Sequence, residues 1–357
     1  MAAMRHKSSG AGLAFLAFVL SAAPVHAGLA QQYTGDVGIE TDPAVIFVDR
    51  LNASVPTIVA RYDQVQNQAG MTSVADVPPN SPLAMSLRMN NPSAASTSLL
   101  LKNLLRINPT GYTTIFLRVY VKFEAGGAWH HNGPWILGQA TPGGIGDADF
   151  TPALCCFRPT GADKFHTSVE FLHPTGYTTW MEMRSSTDPS CIPDIGSNCY
   201  YGNTFLPGFT FNTNQWYAIE IGVTLNTPTT ARNGTQQIWI DGVLRVNLSQ
   251  GSPLGSWTDN VWTTGAGSTP FDGFRWRSTA LTSTNFLLNH FTDAAGAMRW
   301  SHLVVATAPI GPISTSAPLR PAAPCCLRLT RAPTVNLGVA LIGDRLVPRH
   351  RLHASRP

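Results

Sequence analysis

Apolar and polar residues alternate with period two through long stretches of this chain, and no stretch sustains the spacing of a long amphipathic helix. In TIFLRVYVKFEA, Ile115, Leu117, Val119, Val121 and Phe123 alternate with Phe116, Arg118, Tyr120 and Lys122, which predicts a strand with one core face and one polar face. Ile219, Ile221, Val223 and Leu225 alternate with Glu220, Gly222 and Thr224 in the same way. In QQIWIDGVLRVNL the Asp241-Gly242 pair predicts a tight hairpin joining two short strands. GFRWRST sets Phe274 and Trp276 against Arg275 and Arg277, and MRWSHLVVA closes the pattern before Pro309 and Pro312. Many short strands punctuated by Gly, Pro, Asn and Asp turns, with no helices between them, predict an all-β, two-sheet antiparallel β-sandwich: a jelly roll over about residues 43–313.

The two ends of the chain read differently. Arg5 and Lys7 precede the apolar run AGLAFLAFVLSAA, and Val25-His26-Ala27 is a small-x-small cleavage pattern, so residues 1–27 are expected to be a signal peptide and 28–42 a lead-in to the sandwich. Residues 314–357 are rich in Pro and Arg without periodicity, which predicts a disordered basic tail. Export makes the protein secreted, extracellular or periplasmic, and no later stretch is apolar enough to predict an integral membrane segment.

Net charge changes once those ends are set aside. The whole chain carries 24 Lys and Arg against 20 Asp and Glu. Removing Arg5, Lys7 and the seven Arg and one Asp beyond residue 314 leaves 15 basic and 19 acidic residues in the body. A mildly acidic body has no concentrated basic face, which argues against nucleic acid as a partner, and a monomer is expected. Charged residues make up 12% of the chain, about half the usual share, as suits an extracellular sandwich.

Six cysteines occur as Cys155 and Cys156, Cys191 and Cys199, and Cys325 and Cys326. Cys191 and Cys199 enclose the loop CIPDIGSNC, which a disulfide could staple. None has the spacing of a zinc site. No cofactor is expected; a structural calcium at Asp147 and Asp149 is an alternative to ordinary turn chemistry, and a site joining either of them to His130 and His131 is weaker, because adjacent histidines in extended chain chelate poorly.

Seven stretches together carry a resemblance: DVGIETDPAVIFVDR, FLRVYVKFEAGGAWHHNGPW, TTWMEMRSS, GNTFLPG, NGTQQIWIDG, FDGFRWRS and HLVVATAPIGPI. Over about residues 35–313 the chain resembles secreted bacterial proteins with a concanavalin A-like jelly roll related to polysaccharide lyases. The resemblance implies a fold of the lectin and glucanase type with a sugar groove on one concave sheet. It also implies an acidic, uronate-containing polysaccharide as partner. Two strand signatures frequent in lyases of this fold, Tyr-Lys-x-Gly-x-Tyr and Gln-x-His, are absent.

A lyase of this kind removes the proton beside a uronic carboxylate, which requires a base, an acid and a group that neutralises the carboxylate. The matched motifs offer His131, then His130, then His290 as base, and Arg184, Arg275 and Arg277 as carboxylate partners. Substrate-binding candidates are Trp135, Trp180, Glu182, Asn203 and Asn289, with Arg118, Tyr120 and Lys122 as a trio on one strand face. Each has a bland alternative. Adjacent histidines in extended chain face opposite ways, so at most one of His130 and His131 can enter a groove. Trp135 is either a stacking platform or core, and the Arg118 trio is equally an ordinary solvated strand face. Glu170, Glu182 and Glu220 lie on separate strands without the paired-carboxylate motif of a retaining hydrolase. The sequence thus points to β-elimination on an acidic polysaccharide, or to a non-catalytic, lectin-like carbohydrate-binding surface module.

Overall fold

The computed structural model describes residues 28–92, 97–127, 132–139, 164–172, 176–181, 202–205, 209–258, 261–265, 267–271, 273, 283–291 and 296–315. All belong to the first of two compact units, Met1–Leu319. Along the chain the strands are β1 (Val45–Asp49), β2 (Gln64–Gln66), β3 (Met71–Val74), β4 (Ser86–Asn91), β5 (Thr97–Lys102) and β6 (Thr114–Phe123). There follow β7 (Asn132–Gln139), β8 (Lys164–Leu172), β9 (Gly176–Met181), β10 (Gly202–Phe205), β11 (Trp216–Thr224) and β12 (Thr235–Ile240). The last are β13 (Val243–Leu248), β14 (Leu254–Thr258), β15 (Val261–Thr264), β16 (Thr269–Pro270), β17 (Ser283–Phe291) and β18 (Gly296–Ala306).

These strands form two sheets. An eight-stranded sheet has the order β13-β12-β11-β6-β18-β4-β3, with β1 on β18, and a ten-stranded sheet has the order β16-β14-β15-β10-β9-β8-β7-β17-β5-β2. Pairing is antiparallel except between β10 and β15. The molecule is the all-β jelly-roll sandwich that the alternation predicts.

The main core lies between the sheets. Leu117, Val119, Val121, Ile219, Ile221 and Trp300 from the eight-stranded sheet pack with Leu100, Ile136 and Val169 from the ten-stranded one. Polar links also join the two sheets: the Gln236 amide donates to the Thr167 hydroxyl, and the Ser98 hydroxyl donates to Asn91 Oδ1 at 2.8 Å. The hairpin between β12 and β13 turns at Asp241 and Gly242, both at positive φ, the backbone that a two-residue primed turn requires.

The eight-stranded sheet is buried on its far face as well. There Phe116, Trp239, Val304 and Ala306 pack with Ala30, Ile39 and Ile310 in a second apolar cluster. Residues 28–42 and 307–314 supply that cover. The two segments are tied by the Leu29 amide to the Pro309 carbonyl at 3.0 Å, Ala30 to Ile310 at 2.8 Å, and Gly35 to Ser314 at 3.0 Å. The Glu220 carboxylate fastens the strap from beneath, accepting the Ile310 and Gly311 amides at 2.8 and 2.7 Å. Residues 28–42 are therefore an integral layer of the domain. The expectation that β6 has one core face and one polar face holds only for its inward residues.

Within β18 the ladder slips between Ser301 and Val304. Up to Trp300 the free edge pairs with β4, and from Leu303 it pairs with β1. His302 sits in the bulge at φ 51°, which turns its ring beneath the cover instead of into the sheet.

Candidate functional site

Strand alternation gives the ten-stranded sheet an outer face opposite the main core. Leu100 and Ile136 point inward, whereas their neighbours Leu99, Leu101, Trp135 and Leu137 form a small apolar cluster on the other side. Register then assigns further positions to that outer face. Leu287 of β17 pairs with Trp135, Trp135 with Ser168 of β8, Ser168 with Trp180 of β9, and Trp180 with Asn203 of β10. One line of partners thus crosses five strands. At the usual strand spacing the three steps from Trp135 to Asn203 cover about 14 Å.

Three residues expected to bind substrate, Trp135, Trp180 and Asn203, fall in this one row although they lie far apart in sequence. A fourth, Asn289, pairs with Leu99 and Gly133, one pleat step along. His166 pairs with Leu137 on the other flank. It was not singled out from sequence, although KFHTSVEF alternates cleanly, with His166, Ser168 and Glu170 at the positions opposite Phe165, Thr167 and Val169. His290 pairs with Ser98 and Asn132, whose side chains are buried, so its position belongs to the inward set and not to the row.

Trp135 resolves as core. The indole is 5% exposed and packs with Leu99, Leu101 and Leu137, so it forms an apolar floor and not a free stacking platform.

The trio Arg118, Tyr120 and Lys122 is a correction. These residues lie on β6 of the eight-stranded sheet, on the opposite side of the sandwich from the row, and each is committed to an internal contact. Arg118 is 0% exposed. Its guanidinium donates to both oxygens of Asp36, at 3.2 and 2.5 Å, and to the carbonyls of Gly311 and His302 at 3.1 and 3.2 Å. Tyr120 is buried, and its hydroxyl accepts the Ile313 amide at 2.9 Å. Burial pushes the Tyr120 phenol up to about 12, against the opposing pull of the Arg118 charge.

Lys122 is the outermost of the three and donates to Asp76 at 2.9 Å. Around it, Arg299 pairs with Asp76 and Glu124, Arg88 grips Glu124 at 2.9 Å through two nitrogens, and the Trp216 indole donates to Asp76. Partial burial would raise both carboxylates, but the hydrogen bonds and charges of these partners hold Asp76 and Glu124 below their ordinary values. Each of the three cations, Lys122, Arg88 and Arg299, is thus engaged by a carboxylate of its own surroundings.

His130, His131, Glu182, Arg184, Arg275 and Arg277 lie outside the described residues, as do Asp147, Asp149 and all six cysteines. Among the described residues no group of three or more His, Cys, Asp or Glu is arranged to hold a metal ion. No described helix is long and apolar enough to cross a membrane.

No protein-family model and no curated relative matches the chain. Among solved structures it is similar to the marine PL-14 alginate lyase from Aplysia kurodai, at 12% identity over 75% of this chain and 99% of that one, with a TM-score of 0.45. Alginate lyase vAL-1 from Chlorella virus matches at 12% identity over 73% and 99%, TM-score 0.46. Alginate lyase Aly36B matches at 12% identity over 74% and 97%, TM-score 0.44.

Proposed function

We propose that this is a secreted, carbohydrate-active protein of the polysaccharide-lyase kind, acting on an acidic, uronate-containing polysaccharide by β-elimination. The observation that carries the reading is the row on the outer face of the ten-stranded sheet. The line of strand partners runs from the buried Trp135 and Ser168 to the positions of Trp180 and Asn203. Aromatic and amide positions in that order suit a sugar chain, whose ring faces are apolar and whose edges carry hydroxyl groups.

In the reaction a base takes the proton beside the uronic carboxylate, a cation or amide neutralises that carboxylate as the enolate develops, and a proton returns to the departing glycosidic oxygen. His131 or His130, immediately ahead of β7 in sequence, and His166, on the flank of the row, are the base candidates. Arg184, Arg275 and Arg277 are the carboxylate partners. The proposal needs no metal.

The test is incubation of the protein with alginate, pectate, glucuronan and glycosaminoglycans, following the absorbance of unsaturated products. The expected result is product on one polyuronate. Retained binding with no product on any of them would replace the lyase with a lectin-like surface module. Neither binding nor product would overturn the carbohydrate assignment altogether.

A further inference from the structure

On the other side of the sandwich, under the cover of the eight-stranded sheet, three residues from distant parts of the chain form a hydrogen-bonded relay. Asp36 Oδ2 lies 2.9 Å from His302 Nδ1, and His302 Nε2 lies 2.7 Å from Ser81 Oγ. Asp36 belongs to the N-terminal cover, Ser81 to the loop between β3 and β4, and His302 to the bulge of β18. Asp36 and His302 are each 1% exposed, whereas Ser81 is half-buried in a loop whose Pro79, Asn80 and Pro82 are exposed. The hydroxyl is thus the solvent end of the relay.

The polarity of the relay follows from its inner end. Burial would raise the Asp36 carboxyl, but the Arg118 charge and the hydrogen bonds from His302 and Arg118 outweigh it and bring the value down to about 2. Asp36 is therefore ionised at neutral pH and accepts the proton on Nδ1. Burial, together with the Arg118 and Arg50 charges, outweighs the pull of the Asp36 carboxylate and lowers His302, which keeps the ring neutral and leaves Nε2 to accept. The Leu83 amide donates to Ser81 Oγ at 3.1 Å, so the hydroxyl hydrogen points at the imidazole. Three of the non-glycine residues at positive φ, Asp36, Asn80 and His302, meet at this one place. Such backbone persists where the surroundings over-determine it.

We propose that Ser81, His302 and Asp36 form a second, hydrolytic site in which Ser81 is a nucleophile toward short acyl esters. A serine hydroxyl on a neutral imidazole, with a carboxylate fixing the tautomer, is the arrangement that activates oxygen for acyl transfer on unrelated folds. Ser81 Oγ attacks the acyl carbon while its proton passes to His302 Nε2. The bond from the acyl carbon to the alcohol oxygen breaks, and the alcohol leaves with that proton. Water, deprotonated by the same nitrogen, then attacks the acyl-serine and releases the acid, so one water is consumed and nothing is oxidised or reduced. A small acyl group such as acetyl is the class suited to a hydroxyl only partly exposed, with its imidazole buried beneath it. Arg118 is a positioning residue that holds Asp36 in place. This site is independent of the polysaccharide reading, because the row lies on the opposite sheet.

The test is exposure of the purified full chain to 4-nitrophenyl acetate and, separately, to a fluorophosphonate, with mass mapping of the adduct. The expected result is an adduct on the peptide containing Ser81, nitrophenol release that follows deprotonation of a single imidazole, and loss of both in Ser81→Ala. Release in that variant should fall by on the order of 100-fold or more. Ser81 is half-buried, so Ser81→Ala should keep the wild-type near-ultraviolet dichroism. Asp36→Asn should slow release and move its pH profile, which a merely structural carboxylate would not do. Absence of an adduct at Ser81 in folded protein, or an adduct elsewhere that survives Ser81→Ala, would overturn the proposal.

Discussion

Arg118 shows how far one residue can depart from its sequence pattern. Alternation places it on a face labelled polar, and polar it is, but the partner that absorbs its charge lies 82 residues away in Asp36. Replacing one partner of a buried ion pair strands the other, so Arg118→Met should lower unfolding free energy by about 3–5 kcal/mol in urea titrations. The pH dependence has a definite sign. Asp36 falls from 3.8 to about 2 on folding, so it contributes about 2 kcal/mol of stability above pH 4, lost as pH falls from there toward 2. His302 is lowered from 6.5, so its contribution is complete above that pH and declines below it. Urea midpoints from pH 8 to pH 3 should therefore drop in two stages. The lower stage should shrink in Asp36→Asn relative to wild type.

At the scale of the strand, the reading from sequence was strongest where a hydrophobic alternation needs no partner to be visible. β6, β11, the β12-β13 hairpin and β18 all lie where the pattern puts them. What the pattern could not show is what covers the second face. Gly222 and Glu220 look like ordinary outward positions of β11. Yet a Cβ at Gly222 would lie 2.6 Å from the Phe116 ring and 3.2 Å from Trp239, and Glu220 caps two strap amides. Gly222→Val should thus displace the aromatic pair and cost about 1–3 kcal/mol through overpacking, read as a lower melting temperature. Trp135 was undecided between platform and core because alternation gives the face and not the exposure. The row itself was illegible for a simpler reason, that register between β7, β8, β9 and β10 is set by pairings no local pattern records. If the row binds the polymer, Trp180→Ala should weaken polyuronate binding by more than about 1 kcal/mol, measured by calorimetry, and leave ester release at Ser81 unchanged.

For the whole molecule, the two sheets of the sandwich differ in what lies over their outer faces. The outer face of the ten-stranded sheet carries the buried cluster Leu99, Leu101, Trp135 and Leu137, while the far face of the eight-stranded sheet lies under a cover fastened by Glu220 and Arg118. The sequence pattern reached the fold, because the fold follows from strand alternation and turn chemistry. The resemblance mixed candidates from both sheets into one groove, because a motif list carries no information on which layer a strand enters. Arg118, Tyr120 and Lys122 are the cost of that blindness. Deleting residues 28–36 should expose the apolar cluster around Phe116 and Trp239 and remove Asp36 at the same stroke. The expected outcome is a dye-binding, aggregation-prone protein with far-ultraviolet strand signal retained.

The ties between Gly28, Leu29 and Ala30 and the strap at Pro309 and Ile310 also set an order of events. A Cβ at Gly28 would lie 2.3 Å from the Ile310 carbonyl carbon, so the two ends of the domain are in intimate contact although about 280 residues separate them. A segment threading out of a channel from its N-terminus must therefore wait, unpaired, until nearly all of the chain has followed. The same closeness offers a shortcut. A brief linker joining residue 315 to residue 28, with new ends cut into an exposed turn, would make the contact local and should let the sandwich close sooner than in the natural order.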